Sequence, residues 1–300
     1  MKLELEADRL FSRPQISPRQ FHVHGETDRL RRVLVCAPSH LEAVPCCSVT
    51  KEKLRGGFVP DPLQALRQHR ALCDVLAGAG AAVERLAPTP GLADACFTRD
   101  VAVTTPWGLV ALKPALDHRS AEVAQFARWA RGQGRPVRRI TAGRIEGGDI
   151  CIARPGLLIV GISGNRTDEV GAEDFATPFH VAGWDVLAYN FDEHFLHLDT
   201  IFSMLRPDLA LACVDVLDDG FIAALRQRGI GLLPVTYKEA RKLGCNVVSI
   251  DGETIITGTD TPRVSAMLRE EGFKVIEVAL GQLNACGGGV HCLTMPLERG

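Results

Sequence analysis

The residues with the clearest chemical potential lie near the end of the chain, where the glycines 287–289 precede Val290, His291 and Cys292. Glycine reaches positive φ and lets other groups approach the backbone closely, and strand interiors rarely hold three in a row. The run therefore predicts a turn that presents the sulfur of Cys292 near the start of a short apolar strand. Such a sulfur could act as a nucleophile, or it could be an ordinary buried cysteine. Alternation along that strand predicts that His291 faces the opposite side.

Four other polar residues lie just before or at the start of predicted strands, namely Asp100, Glu146, His197 and Asp199. Several carboxylates in one cleft favour a cationic ligand. Guanidinium is planar and offers five N–H donors that match carboxylates in pairs. A histidine among them could act as a general acid and base. Together with Cys292, this set predicts nucleophilic chemistry on a guanidinium group.

Each of these residues also has a purely structural interpretation. Asp100 and Asp149 could cap turns, and His197 could be a hydrogen-bonded histidine of the core. A metal site is a further alternative, and its candidate ligands would be Asp192, His194, His197 and Asp199. Neither an HExxH motif nor clustered cysteines supports it, so no metal and no other cofactor is expected.

A repeated unit must position these residues. Five predicted helices, at 61–76, 120–131, 168–181, 220–228 and 261–271, are each followed by a glycine and then by a short strand. The glycines, which suit the left-handed helix cap, are Gly80, Gly134, Gly183, Gly229 and Gly272. The strands that follow them are predicted at 82–86, 137–140, 184–188, 230–235 and 273–278.

Pairs of strands joined by short polar turns lie between these units, at 101–112, 149–160, 200–214 and 247–257. The repeating unit is therefore ββαβ, and five such units could close into a ring. Equivalent strand ends would then converge on its axis and gather the polar residues in one cavity. An open α/β sheet is the alternative, but neither GxGxxG nor GxxxxGKS/T is present, so no nucleotide is indicated.

These features resemble the guanidino-group-modifying enzymes, which include arginine deiminase, dimethylargininase and the amidinotransferases. The resemblance runs from about residue 29 to residue 297. Its ordered motifs are Phe97-Thr-Arg-Asp100, Lys113-Pro followed by Arg119, Glu146-Gly-Gly-Asp149, His197-Leu-Asp199-Thr200 and Gly287-Gly-Gly-Val-His-Cys292. The resemblance implies the pentein fold, a five-bladed α/β propeller with pseudo-fivefold symmetry, in agreement with the five repeats.

The resemblance also implies a role for each matching residue. Cys292 is implied to be the nucleophile and His197 the acid and base, while Asp100 and Asp199 hold the guanidinium nitrogens. Glu146 is implied to line the same pocket and to orient His197 or the substrate. The implied contacts to the amino-acid end of the substrate come from Arg119 and Arg166 at the α-carboxylate and Asp94 near the α-amino group, and Phe97 completes the predicted pocket.

Three members of the family remain open at this point. Asp199 favours arginine as the substrate, because dimethylation removes two N–H donors and would leave a buried carboxylate partly unpaired. The length of the chain is nearer that of dimethylargininases, and an amidinotransferase would pass the amidino group to an amine. Non-catalytic ribosome-binding factors share the fold, but the combination of cysteine, histidine and carboxylates argues against a binding role.

The overall composition limits the remaining function classes. The chain has 34 basic and 36 acidic residues among 300, which gives no sign of a nucleic-acid or anionic-membrane partner. It has no apolar run of about 20 residues, and the ten cysteines show no disulfide framework, so we expect a cytoplasmic protein. We predict an extension at 1–25 and one catalytic domain at 26–300. The oligomeric state is not fixed by the sequence, and a homodimer remains open.

Overall fold

The fold is a ring of five small sheets, each with three strands. We describe it from a computed structural model that covers residues 21–300. The strands are β1 Leu30–Cys36, β2 Ala82–Leu86, β3 Ala102–Thr105, β4 Gly108–Ala111, β5 Val137–Arg139, β6 Ile150–Arg154, β7 Leu157–Ile162, β8 Asp185–Asn190, β9 Phe202–Arg206, β10 Leu209–Ala212, β11 Gly231–Pro234, β12 Val248–Ser249, β13 Thr254–Gly258, β14 Lys274–Val278 and β15 Met295–Arg299.

Each sheet repeats the same topology, because an antiparallel pair is followed by a parallel third strand. The orders are β15-β1-β2, β3-β4-β5, β6-β7-β8, β9-β10-β11 and β12-β13-β14. The last strand of the chain completes the first sheet, where Leu34 pairs with Met295, and this closes the ring. The predicted five-bladed α/β propeller is confirmed.

Helices connect the second and third strands of all five blades, and two short helices precede the first strand of a blade. They are α1 Ser48–Arg55, α2 Pro62–Gly78, α3 Ser120–Gly132, α4 Glu169–Val181, α5 Asp219–Gln227, α6 Tyr237–Ala240, α7 Pro262–Glu270 and α8 Gly281–Ala285, with short 3-10 turns at Asp117–Arg119, Gly147–Asp149 and Leu198–Thr200. Within residues 21–300, every helix is too short or too polar to cross a membrane.

The five glycines that follow the predicted helices have the expected conformation. Their φ angles lie between 68° and 93°, in the region that residues with a β-carbon avoid. Each one reverses the chain so that the next strand returns to its sheet. The sequence prediction missed α1, α6 and α8, which are short and lie outside the repeating unit.

Apolar side chains join neighbouring blades. Leu34 and Met295 of the first sheet share one buried cluster with Leu109 of the second sheet and Phe126 of α3. Phe21 belongs to the same cluster and is 5% exposed.

Residues 21–25 were assigned by the sequence prediction to an extension, but they join the propeller. The amide of Val23 donates to the carbonyl oxygen of Thr105, and the carbonyl oxygen of His22 accepts from the amide of Arg299. Residues 22 and 23 are therefore hydrogen-bonded to the propeller, and the domain boundary predicted at residue 25 stays a prediction. The first twenty residues of the predicted extension lie outside the described part of the chain.

Candidate active site

A narrow cleft beside Cys292 leaves about 20 Å³ of space accessible to water. Its wall combines residues from several blades with the glycine-rich segment before Cys292. Glu146 and Asp199 do not line the cleft themselves but contact His197 and Cys292, which do. The predicted site residues that line the cleft are Asp94, Phe97, Asp100, Arg119, Arg166, His197 and Cys292.

The three glycines before Cys292 are each required by their surroundings. Gly287 has a φ of +101°. A β-carbon on Gly288 would lie 2.3 Å from the Phe97 ring, and one on Gly289 would lie 2.6 Å from the side-chain oxygen of Asn246, distances that real atoms do not adopt. The run therefore lets the chain pass between Phe97 and Asn246 and deliver the cysteine to the cleft.

Cys292 is buried in a turn, and the following strand begins three residues later at Met295, not near the cysteine as predicted. Asn246 donates its Nδ2 hydrogen to the Cys292 sulfur at 3.2 Å, and the thiol lies 3.5 Å from Oδ2 of Asp199. Burial raises the thiol pKa well above its usual range, and the charges of Asp199 and Asp100 raise it further. The cysteine is therefore a neutral thiol until a cation binds beside it.

His197 is held by carboxylates on two sides. Its Nε2 lies 2.7 Å from Oε2 of Glu146, and its Nδ1 lies 3.7 Å from Oδ1 of Asp100. Burial lowers the histidine pKa, but the charges of Asp100 and Asp149 and the bond to Glu146 outweigh it and raise the pKa to about 10. Burial likewise opposes ionisation of Glu146, yet the His197 hydrogen bond and nearby cations lower its pKa to about 2. The pair is thus an imidazolium and a carboxylate.

The Glu146-Gly-Gly-Asp149 segment fixes the orientation of the His197 side chain. A β-carbon on Gly148 would lie 2.6 Å from the imidazole, so the histidine ring lies directly on this glycine. Asp149 accepts hydrogen bonds from the hydroxyl of Thr167 at 2.6 Å and from the amide of Leu198 at 2.8 Å. Asp149 therefore fixes the turn that carries His197, which is the structural role considered from the sequence.

The contacts of Arg119 in the structure differ from the predicted contact with the substrate. Its guanidinium binds Asp100, the carboxylate of Glu122 at 2.8 and 3.0 Å, and the carbonyl oxygens of Asp94 and Phe97, both at 3.2 Å. These protein groups engage every nitrogen of the side chain. The arrangement favours a role in holding Asp100 and the 94–97 turn over the predicted contact with an α-carboxylate.

Arg166 and Asp94 stand on the wall of the cleft. Arg166 donates from Nη2 to the carbonyl oxygen of Cys46 at 2.6 Å, while its Nη1 lies 3.5 Å from Glu146. Asp94 lies 2.8 Å from Nε2 of His118, an interaction that the sequence did not indicate. The backbone carbonyl of Cys46, a residue for which the sequence predicted no role, helps to orient the Arg166 side chain.

Alternation predicted that His291 faces away from Cys292, but it does not. The segment 290–294 is a turn rather than a strand, so the period of two does not apply. The Nδ1 atom of His291 lies 2.8 Å from Oδ2 of Asp199, the same oxygen that approaches the Cys292 thiol. Asn246 was missed as well, because no motif singles out an asparagine before a two-residue strand.

Within residues 21–300, the set able to hold a metal ion consists of Asp100, Glu146 and His197, whose ligand atoms lie within 4.8 Å of one another. The alternative set proposed from the sequence is not assembled. His194 lies on an exposed loop, where its Nε2 is 3.2 Å from the hydroxyl of Tyr237.

Three buried atoms around the thiol have no hydrogen-bond partner among the described residues. They are Oδ1 of Asp100, Nδ1 of His197 and Oδ1 of Asp199. A buried polar atom without a partner costs on the order of 1–3 kcal/mol, so such atoms rarely persist without a purpose. Two acceptors and one ring nitrogen are therefore available to form hydrogen bonds with a ligand.

Comparison with known proteins agrees with this chemistry. The family model of eukaryotic N,N dimethylarginine dimethylhydrolase matches residues 62–299. The chain belongs to this family. It is 29% identical over 280 residues to the uncharacterized protein YkgA of Bacillus subtilis, covering 92% of this chain and 94% of that protein. It is 27% identical over 252 residues to an arginine deiminase of Rhodococcus erythropolis, covering 71% of this chain and 61% of the deiminase.

Solved structures in the family share the fold. The N-terminal domain of ArgZ, a cyanobacterial arginine dihydrolase, superimposes with a TM-score of 0.80 at 22% identity over 89% of this chain and 98% of that domain. A dimethylarginine dimethylaminohydrolase superimposes with a TM-score of 0.71 at 20% identity, over 89% of this chain and 99% of the other. The family and its relatives establish a C–N hydrolase that acts on arginine-like guanidino groups.

Proposed function

We propose that the cleft binds an amino acid with an unsubstituted guanidinium group, with arginine as the first candidate, and hydrolyses it through Cys292. The observation that carries this proposal is the pair of buried carboxylate oxygens without partners, Oδ1 of Asp100 and Oδ1 of Asp199, beside the thiol. A guanidinium supplies both the N–H donors and the positive charge that these oxygens lack.

The other end of the substrate would meet Arg166 and Asp94. Arg166 has a guanidinium at the cleft wall that Cys46 and Glu146 contact only in part, so it can bind an α-carboxylate. Asp94 is buried and lines the same wall, and its charge suits an α-ammonium group. Phe97 lies between these residues and the cysteine loop, where its ring can cover the alkyl part of the substrate.

The bound cation changes the state of the nucleophile. The thiol is neutral in the empty site because burial and two carboxylates raise its pKa. A guanidinium placed between those carboxylates cancels their charge, so the thiolate becomes accessible when substrate is present. The thiol proton leaves to solvent, the sulfur forms a bond with the guanidinium carbon, and the C=N π electrons move to nitrogen to give a tetrahedral adduct.

His197 completes the two chemical steps. As an imidazolium it protonates the departing nitrogen, the C–N bond breaks, and ammonia leaves a covalent amidino-cysteine. The neutral imidazole then takes a proton from water, whose oxygen adds to the same carbon. The C–S bond breaks, the thiol is regenerated, and arginine has become citrulline. Glu146 has both oxygens engaged, by His197 and by the amide of Ala115, so it orients the histidine.

Dimethylarginine is the second candidate, because the family model that matches the chain carries that activity in its description. Asp199 argues for arginine. Dimethylation removes two donors, and an unpaired buried carboxylate oxygen would cost about 1–3 kcal/mol, roughly 5- to 150-fold in preference. An amidinotransferase would expel ornithine instead of ammonia in the first step, and the amidino group left on the cysteine would then pass to an amine in place of water.

Product analysis by mass spectrometry tests the proposal. The enzyme is incubated separately with arginine and with asymmetric dimethylarginine, each with and without a mixture of acceptor amines, and Cys292→Ser serves as the matched control. Citrulline from arginine without an acceptor is the expected result. Citrulline from the methylated substrate alone would contradict the Asp199 argument, and ornithine formed only with an acceptor would indicate a transferase. Ornithine formed without one would indicate a dihydrolase.

We also propose that the protein works in a reducing compartment such as the cytoplasm. All ten cysteines are unpaired, and nine of them are buried, which is usual where thiols stay reduced. Cell fractionation checks this, and recovery of the protein from an oxidising compartment would contradict it.

A further inference from the structure

A row of buried charged groups lies next to Cys292. His291 is at its centre. Nδ1 of His291 lies 2.8 Å from Oδ2 of Asp199, and its Nε2 lies 3.6 Å from Oε2 of Glu26. One imidazole thus bridges two carboxylates, one of which contacts the Cys292 thiol at 3.5 Å.

The far end of the row is firmly anchored. Glu26 binds the guanidinium of Arg99, and Arg99 also donates to the carbonyl oxygens of Gly147 at 3.2 Å and Ile150 at 3.0 Å. The backbone amide of Arg99 donates to the carbonyl oxygen of Cys292 at 3.2 Å. The row therefore starts and ends at the segment that carries the nucleophile, which makes it a rigid frame rather than a loose surface pair.

We propose that His291 is a positioning residue that holds Asp199 beside Cys292 and leaves the second oxygen of Asp199 free for the substrate. The inference rests on the proposed function, because it explains how one of the two guanidinium-binding carboxylates is aimed. Without the Nδ1 donor, Asp199 could rotate and place either oxygen toward the thiol. Asn246 fixes the backbone of the same turn, because its side-chain oxygen accepts from the amide of His291 at 2.9 Å.

The charge of His291 matters as well as its hydrogen bond. The groups that face it are the carboxylates of Asp199 and Glu26 and the guanidinium of Arg99, while Arg299 also acts on Glu26. Burial and Arg99 lower the pKa of His291, but the hydrogen bonds to the two carboxylates outweigh them and raise it. A neutral residue here would leave Asp199 less compensated, and the thiolate of Cys292 would become harder to form.

Two substitutions separate these effects. His291→Asn keeps an N–H donor near the position of Nδ1 but removes the charge, and His291→Leu removes both. We expect His291→Leu to lose about 100-fold in kcat/KM, the scale typical of a misplaced catalytic group. His291→Asn should stay within about tenfold of the wild type, because it keeps Asp199 in place. Equal activity of the two variants would overturn the positioning role.

A second readout needs no turnover. The rate of Cys292 alkylation by iodoacetamide, followed against pH in the substrate-free enzyme, reports the thiol pKa. Both variants should move this profile to higher pH, and an unchanged profile in both would overturn the charge argument. If His291 only supported the fold, its substitution would lower Tm and leave both readouts unaltered. If the leucine variant does not fold, His291→Gln replaces it, because it also removes the charge, and it should move the profile in the same direction.

The two readouts also separate this inference from the proposed function. If the wild type turns over neither arginine nor dimethylarginine, the proposed function fails, and the alkylation profiles still decide whether His291 compensates Asp199. If the wild type is active and the asparagine and leucine variants behave alike, the proposed function stands and the role of His291 is refuted.

Discussion

Replacing Asp199 by asparagine should make the resting cysteine more reactive while it makes the enzyme slower. The Asp199 carboxylate lies 3.5 Å from the Cys292 sulfur. Two unit charges at that separation repel by about 5 kcal/mol at an effective dielectric constant near 20, equivalent to roughly 3.5 pKa units. His291 cancels part of this field, so we expect the thiol pKa to fall by about 1 to 2 units.

Turnover should move in the opposite direction. The asparagine variant loses one charge-assisted bond to the guanidinium, worth about 1.5–3 kcal/mol, so kcat/KM for arginine should fall roughly 10- to 100-fold. Dimethylarginine makes fewer of these bonds and should lose less. The thiol pKa is measured from the pH dependence of iodoacetamide alkylation, with the modified peptide identified by mass spectrometry, and kcat/KM from citrulline release.

A matched substitution far from the cleft provides the control. Asp208 lies on an exposed turn, and its carboxylate is 3.6 Å from the Nε of Arg206, so Asp208→Asn changes the same chemistry without reaching the site. It should alter neither measurement. If Asp199→Asn alkylates more slowly than the wild type, or loses equal activity on both substrates, the placement of Asp199 in this reasoning is wrong.

Four further changes test separate parts of the site. Cys292→Ser should abolish turnover and leave Tm within a few degrees of the wild-type value. Retained activity would refute the assignment of Cys292 as the nucleophile. Arg166→Ala should raise KM for arginine by about 10-fold or more with a smaller effect on kcat, as expected for a charge-assisted anchor; an unchanged KM would refute the α-carboxylate contact. Gly148→Ala should cost activity and about 1–3 kcal/mol of stability by overpacking, because its new methyl group would meet His197 at 2.6 Å; an unaltered kcat would contradict that packing. Glu146→Gln removes the anion that helps to raise the pKa of His197 to about 10. The loss of kcat at alkaline pH should therefore begin at lower pH than in the wild type. A pH profile of kcat that does not move would show that Glu146 does not support the imidazolium.

The repeating part of the fold was predictable because each unit carries local signals. Glycine after a helix and polar turns between short apolar strands depend on a few neighbouring residues, and all five capping glycines have the positive φ expected of them. The count of five units allowed either a closed ring or an open sheet, and the resemblance to the pentein family favoured the ring. The helix α1 was missed, since its eight residues belong to no repeat.

The candidate site was predictable only as far as its motifs reached. The sequence named the acids, the histidine and the cysteine, but it could not tell which side chains would meet across blades. Arg119 is therefore engaged by Asp100 and Glu122 instead of standing free. Asn246 and His291 contact the nucleophile or its carboxylate without a sequence signal, because their roles arise from turns whose geometry no period describes.

Detection of the covalent intermediate is the direct test of nucleophilic catalysis by Cys292. The enzyme is mixed with arginine, quenched in acid within milliseconds to seconds, digested and analysed by mass spectrometry. We expect the peptide containing Cys292 to gain the mass of arginine less ammonia, and the adduct to decay as citrulline appears. The Cys292→Ser variant should form no adduct. Citrulline formed at full rate with Cys292 unmodified at every time, or an adduct on another cysteine, would contradict it.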